Sequence, residues 1–149
     1  MKVVEILAQK SSQVYTINPR SLVTEALQML DAKHIGALLV LDEEQKIQGI
    51  ISERDILHLF ADAKRSAQDT RVQDIMTPAS RLIIGDKDDE VEYVMNIMTN
   101  NRVRHLPIID KKGTLVGLIS IGDVIKVLLK DAEYEKKLLL DYIQGKYPA

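Results

Sequence analysis

The chain has 149 residues, 46% of them hydrophobic and 28% charged, and a formal net charge of −2. This is the length and composition of a globular domain with a buried core, not of a disordered chain. Near-neutral charge and 4% aromatic content argue against a nucleic-acid footprint, and the absence of cysteine excludes disulfides, thiolate metal sites and a cysteine nucleophile.

The opening stretch, MKVVEILAQKSSQ, carries an apolar run interrupted by Glu5 that is too short for a signal sequence. No segment reaches membrane-spanning length, so a cytoplasmic location is the default expectation and no membrane partner is expected. Val14–Ile17 reads as a short strand. Val23, Leu27 and Leu30 then recur at helical spacing, with Ser21 just ahead to cap the first amides. Two strands follow, Ala37–Leu41 and Ile47–Ser52, joined by the polar stretch Asp42–Lys46 at hairpin length. A second helix starts after Ser52. The polar, glycine-free stretch Asp62–Arg71 reads as a connector.

The order then repeats. Leu82–Ile84 is a short apolar stretch, and the acidic run Asp86–Glu90 reads as a solvated loop. Asp89 stands before a helix carrying Val91, Met95 and Met98. Strands are expected at Leu106–Ile109 and Leu115–Ser120, with a helix beginning after Ser120. Its apolar pattern runs through Val124, Val127 and Leu128 towards Leu138, Tyr142 and Ile143. A tail helix with that many apolar residues needs something to cover it.

Residues 4–57 overlie residues 72–125 at a constant offset of 68 without a gap. Val4, Val23, Leu38 and Asp42 fall on Val72, Val91, Leu106 and Asp110, and the segment Gly49–Asp55 falls on Gly117–Asp123. Each half is therefore strand, helix, strand, strand, helix, an α+β arrangement. Neither half can bury its sheet alone, so the two are expected to pack through their sheets, related by a pseudo-two-fold axis. The division is residues 1–62, a connector at 63–71, residues 72–130, and a helical tail at 131–149.

The polar identities cluster at Ser52 with Asp55 and at Ser120 with Asp123. Each pair sits where a strand runs into a helix start, whose unpaired amides and dipole suit an anion. A serine hydroxyl can donate to a phosphate or sugar oxygen, and an aspartate can accept from both hydroxyls of a ribose. The same Ser-x-x-Asp spacing is also a capping box. Duplicated structure duplicates caps, so residue chemistry leaves the two readings about even.

Asn101–Asp110 followed by Gly117–Asp123 resembles a CBS motif, and Ile35–Asp42 with Gly49–Asp55 matches it in the first half. Val72-Gln73-Asp74-Ile75-Met76-Thr77-Pro78 resembles the lead-in of a second motif. The resemblance covers all but the tail and implies a tandem CBS pair, or Bateman module, binding AMP or another adenine nucleotide in clefts between the motifs. It assigns ribose and phosphate contacts to Ser52, Asp55, Ser120 and Asp123. Phosphate contacts fall to Arg104 and His105, with Arg54 as a further cation. The adenine pockets fall to Ile17, Ala37 and Leu38 for one site, and to Ile84, Leu106 and Pro107 for the other. Gly36-Ala37 stands where the second half has Arg104-His105, and Gly122 replaces Arg54, so unequal affinities are expected around a shared phosphate zone. The family also implies a homodimer and an unidentified regulated protein.

His34, His58 and His105 share no ligand-like spacing, so no metal is expected, and Met29, Met95 and Met98 fit core positions. No nucleophile elbow, P-loop or dinucleotide fingerprint is present, so neither catalysis nor a catalytic cofactor is expected. The alternatives are an interaction scaffold with vacant clefts, or a sensor of NAD(H) or S-adenosylmethionine.

Overall fold

A computed structural model describes residues 1–10 and 13–145; the last four residues of the expected tail lie outside the described residues. The chain divides into two compact units, Gln13–Ile84 and a discontinuous one made of Met1–Ser12 with Gly85–Ala149.

In the Gln13–Ile84 unit, β1 (Thr16–Ile17) runs parallel to β2 (Ala37–Leu41), and β2 is antiparallel to β3 (Ile47–Ser52). Both hairpin strands lie where their β-branched and aliphatic runs place them. Asp42 Oδ1 closes the connection by accepting from the amides of Glu44 and Lys46, each at 2.9 Å. Helix α2 (Val23–Lys33) buries Val23, Ala26 and Leu30, and α3 (Glu53–Ala61) buries Ile56 and Leu59. These residues form one core with Ile17, Leu38, Val40, Ile51 and Val72.

The other unit repeats this plan. β5 (Gly85–Asp86) runs parallel to β6 (His105–Ile109), which is antiparallel to β7 (Leu115–Ser120). Asp110 Oδ1 closes the hairpin by accepting from Lys112 and Thr114, again at 2.9 Å. α5 (Val91–Asn101) buries Val91, Val94 and Met98, and α6 runs unbroken from Ile121 to Ile143. No helix among the described residues is long and apolar enough to cross a membrane.

Three local expectations are corrected. The strand expected at Leu82–Ile84 forms one step later, at Gly85–Asp86. Gly85 pairs with Ile108 as Ile17 pairs with Val40, so Gly85 is the counterpart of Ile17. A Cβ there would stand 2.8 Å from Ile108 Cδ1 and 2.9 Å from Leu106 Cδ2, so a side chain would have to displace those methyl groups. On α2 and α5 the centre of the buried face is Ala26 and Val94, three residues after the first apolar position; Leu27 and Met95 flank it, half-buried.

Ser21 and Asp89 do not cap these helices, whose N-caps are Leu22 and Glu90. Remote carbonyls serve instead: Val23 and Thr24 donate to Thr70 and Ala67, and Val91 donates to Met1. The Asp89 carboxylate accepts from the amide of Asp86.

The lead-in segments cross between the units. Val72–Ile75 is a short helix, α4, in the unit that carries the first repeat, and β4 (Thr77–Pro78) adds a fourth strand to that unit's sheet, beside β3. Conversely α1 (Val3–Gln9) belongs to the unit carrying the second repeat, where the amides of Val3 and Val4 donate to Asp89 and Lys87. Thus each lead-in packs in the unit of the repeat it does not precede.

Gly49 and Gly117 are the points of close approach to the lead-ins, to backbone at Gly49 and to a side-chain end at Gly117. A Cβ on Gly49 would lie 2.3 Å from Thr77 O, and one on Gly117 would lie 2.8 Å from Leu7 Cδ2. The lead-ins rest on the glycines.

Candidate functional site

The Ser-x-x-Asp pairs lie where β3 runs into α3 and β7 into α6. Antiparallel register sets Ala37 opposite Ser52 and His105 opposite Ser120. The residue before each hairpin also holds the following helix: the amide of Glu53 donates to Gly36 O at 3.0 Å, and that of Ile121 to Arg104 O at 2.8 Å. Arg104, His105, Ser120 and Asp123 are thereby gathered at one helix start, and Gly36, Ala37, Ser52 and Asp55 at the other.

Both pairs form complete capping boxes. Asp55 N donates to Ser52 Oγ at 3.4 Å, and Ser52 N donates back to Asp55 Oδ2 at 2.9 Å. In the second half the matching distances are 3.1 Å and 2.9 Å. Of the four amides from N-cap to N3, the box satisfies two and the Gly36 or Arg104 carbonyl a third, which narrows the anion-binding capacity expected of the helix starts. Capping does not exhaust the carboxylates. Among the described residues every hydrogen bond to Asp55 or Asp123 falls on Oδ2, and none of those residues donates to Oδ1 of either.

The halves differ in what else reaches Oδ2. In the first it is the Ser52 hydroxyl, donating at 3.0 Å. In the second it is Lys10 Nζ at 2.8 Å, which also donates to Leu118 O at 3.0 Å. Burial alone would raise the pKa of the Asp123 carboxyl. The hydrogen bond from Lys10, the Ser120 amide, the Lys10 charge and the Ser120 side chain outweigh it, holding the group below its ordinary value of 3.8.

Lys10 went unrecognised in the sequence because 113 residues separate it from Asp123. At the repeat offset its counterpart is Pro78, so comparing the halves gives no signal either.

The remaining expected residues divide by exposure. Arg54 and Arg104 are exposed and His105 is half-buried. Ile17, Ala37, Leu38, Leu106 and Pro107 are buried, Leu38 and Leu106 completely. Ile84 is 43% exposed and lies one residue before β5. A groove of about 520 Å³ opens between α2 and α3, lined by Gly36 and Glu53 of the first junction and by the exposed Leu57 and Phe60; it holds none of the expected ligand residues.

The CBS domain family matches residues 3–62 and 72–130. The CBS domain-containing protein CBSX3, mitochondrial, of Arabidopsis thaliana is 39% identical over 127 residues, which are 84% of this chain, and the match spans 61% of that relative's length. A putative signal-transduction protein with CBS domains from Burkholderia ambifaria superposes with a TM-score of 0.82 at 37% identity, covering 88% of this chain and 96% of that one. A more distant fold neighbour is a CBS domain protein from Pyrobaculum aerophilum, complexed with AMP, with a TM-score of 0.72 at 22% identity; the match covers 83% of this chain and 89% of that one. Two family matches in tandem, over the two repeats that end in Ser-x-x-Asp junctions, make this chain a member of the CBS domain family.

Proposed function

We propose that the chain is a regulatory module that binds an adenine nucleotide and passes its occupancy to a partner protein, without catalysing a reaction. One observation carries this reading. Each Ser-x-x-Asp carboxylate is fixed by its capping box yet keeps Oδ1 able to accept, as a ribose diol requires. Asp55 and Asp123 take the ribose, with Ser52 and Ser120 beside them. Arg104 and His105 are the phosphate contacts of the second half and Arg54 that of the first. The adenine lies against the sheet ends formed by Ile17, Ala37 and Leu38, and by Ile84, Leu106 and Pro107. The AMP bound by the Pyrobaculum neighbour supports this ligand class.

The motifs occupy residues 1–62 and 72–130, joined by 63–71, and a tail from 131 pairs two copies of the chain. Support for pairing comes from the end of α6, where Leu139, Tyr142 and Ile143 are 64%, 58% and 77% exposed. Apolar side chains grouped on one exposed helix end mark an interaction surface.

A ligand that binds only the folded state stabilises it by about 2.7 kcal/mol at a hundred times its Kd. Thermal melting with AMP, ATP, NADH and S-adenosylmethionine at millimolar concentration therefore tests the reading. A rise in the midpoint with at least one of them is expected. If all four leave it unmoved, the scaffold reading, which the completed capping boxes favour, takes its place.

A further inference from the structure

We propose that Lys10 makes the second Ser-x-x-Asp site selective for phosphorylated nucleosides, its ammonium leaving Asp123 for the phosphate as ribose hydroxyls replace it. This rests on the nucleotide reading above and adds to it a residue and a discrimination.

Lys10 sits at the C-terminal cap of α1, and Leu118 O and Asp123 Oδ2 hold its ammonium at 3.0 and 2.8 Å. Both partners are accessible, the lysine side chain 37% exposed and the aspartate 26%. The pair is therefore made at the surface of the site and is open to competition.

A ribose bound at Asp123 brings neutral hydroxyl donors to a carboxylate that already receives a charged one. Charge-assisted bonds are roughly twice as strong as neutral ones. A neutral nucleoside that displaces Lys10 thus exchanges a stronger bond for a weaker one and leaves an ammonium without its counter-ion. A nucleoside monophosphate supplies a new counter-ion in the same step. The flexible four-carbon stem of lysine lets its ammonium move from one anion to the other without backbone change. While Lys10 holds Oδ2, adenosine reaches Asp123 through Oδ1 alone, and a grip on both carboxylate oxygens favours AMP, whose phosphate takes the displaced ammonium.

The first half provides the internal contrast. Pro78 stands at the position equivalent to Lys10, and among the described residues Asp55 Oδ2 receives the neutral Ser52 hydroxyl and amide and no lysine.

The test is calorimetric titration of AMP and of adenosine into full-length protein carrying Asp55→Asn, so that the second site is read, with and without Lys10→Met. Lys10→Met keeps the apolar stem, and Lys10→Gln serves as the second variant should the first fold poorly. The expected result is a preference for AMP over adenosine that collapses at least tenfold when Lys10 is replaced, because AMP weakens while adenosine holds or improves. An equal change in both affinities, or no change in AMP, overturns the proposal. If the wild-type protein binds AMP but the Asp55→Asn protein binds neither ligand, the second half is not a site: the proposal falls and the nucleotide reading stands. If the wild-type protein binds no adenine nucleotide at all, both fall.

Discussion

Replacing Gly49 by alanine puts a methyl carbon 2.3 Å from Thr77 O, a backbone atom held by the pairing of β4 with β3. No rotamer change relieves that clash, so β4 must lift from β3 and forfeit its ladder. Overpacking a tight site costs about 1–3 kcal/mol. Losing the glycine's unfolded-state freedom returns about 0.4–1 kcal/mol. The net expectation is a loss of about 1.3 kcal/mol. Gly117→Ala is the matched control, because there the obstacle is Leu7 Cδ2 at 2.8 Å, the far end of a flexible side chain. Moving that side chain off its rotamer costs about 0.5–1.5 kcal/mol, so the net effect lies within about 1 kcal/mol of zero. Urea unfolding of both variants measures the difference, and hydrogen exchange at Thr77 and Leu7 locates it. The reasoning is refuted if Gly117→Ala costs as much as Gly49→Ala. It is equally refuted if Gly49→Ala leaves both the midpoint and the Thr77 protection unchanged.

The pKa of Asp123 is depressed in the folded state, so its contribution to stability is full above the ordinary value of 3.8 and disappears as pH falls through the folded-state value. The stability gap between wild type and Asp123→Asn, measured by urea unfolding, should be constant near neutrality and shrink in acid below that value. A gap that stays constant into strong acid would show that the charge of Asp123 does not matter to the fold. If the tail pairs two chains, Ile143→Glu, which places a charge at the exposed end of α6, should convert a dimer to a monomer in light scattering. An unchanged mass for the variant, or a monomeric wild type, rejects pairing through that surface.

The parts of the fold legible in the sequence are those fixed by neighbouring residues. Both hairpins are marked by an aspartate whose side chain closes the turn two to four residues on, and Asp42 and Asp110 do so with the same bonds. The helix starts at Ser52 and Ser120 were legible for the same reason, since a capping box is written within four residues. What escaped is held by distant partners. The α2 and α5 amides are capped by carbonyls from Thr70 and Met1, and a backbone carbonyl carries no residue signature. β4 depends on the missing side chain of Gly49, which reads equally well as a turn or a bulge. At the site, the Ser-x-x-Asp pairs were visible because they are local and repeated. Lys10 was not, because it is neither.

The exchanged lead-ins also impose an order on synthesis. The Gln13–Ile84 unit is contiguous, so all of its partners have been made once Ile84 is in place. The other unit is not: the amides of Val3 and Val4 wait for acceptors at Asp89 and Lys87, and Lys10 waits for Asp123. Domains tend to fold as units in the order in which they emerge, and contacts between residues far apart in sequence slow closure. Residues 1–10 are therefore translated well before the elements they pack against and are among the last to settle. A ribosome-bound chain arrested after the first repeat would hold a folded core preceded by an apolar helix still without its partner.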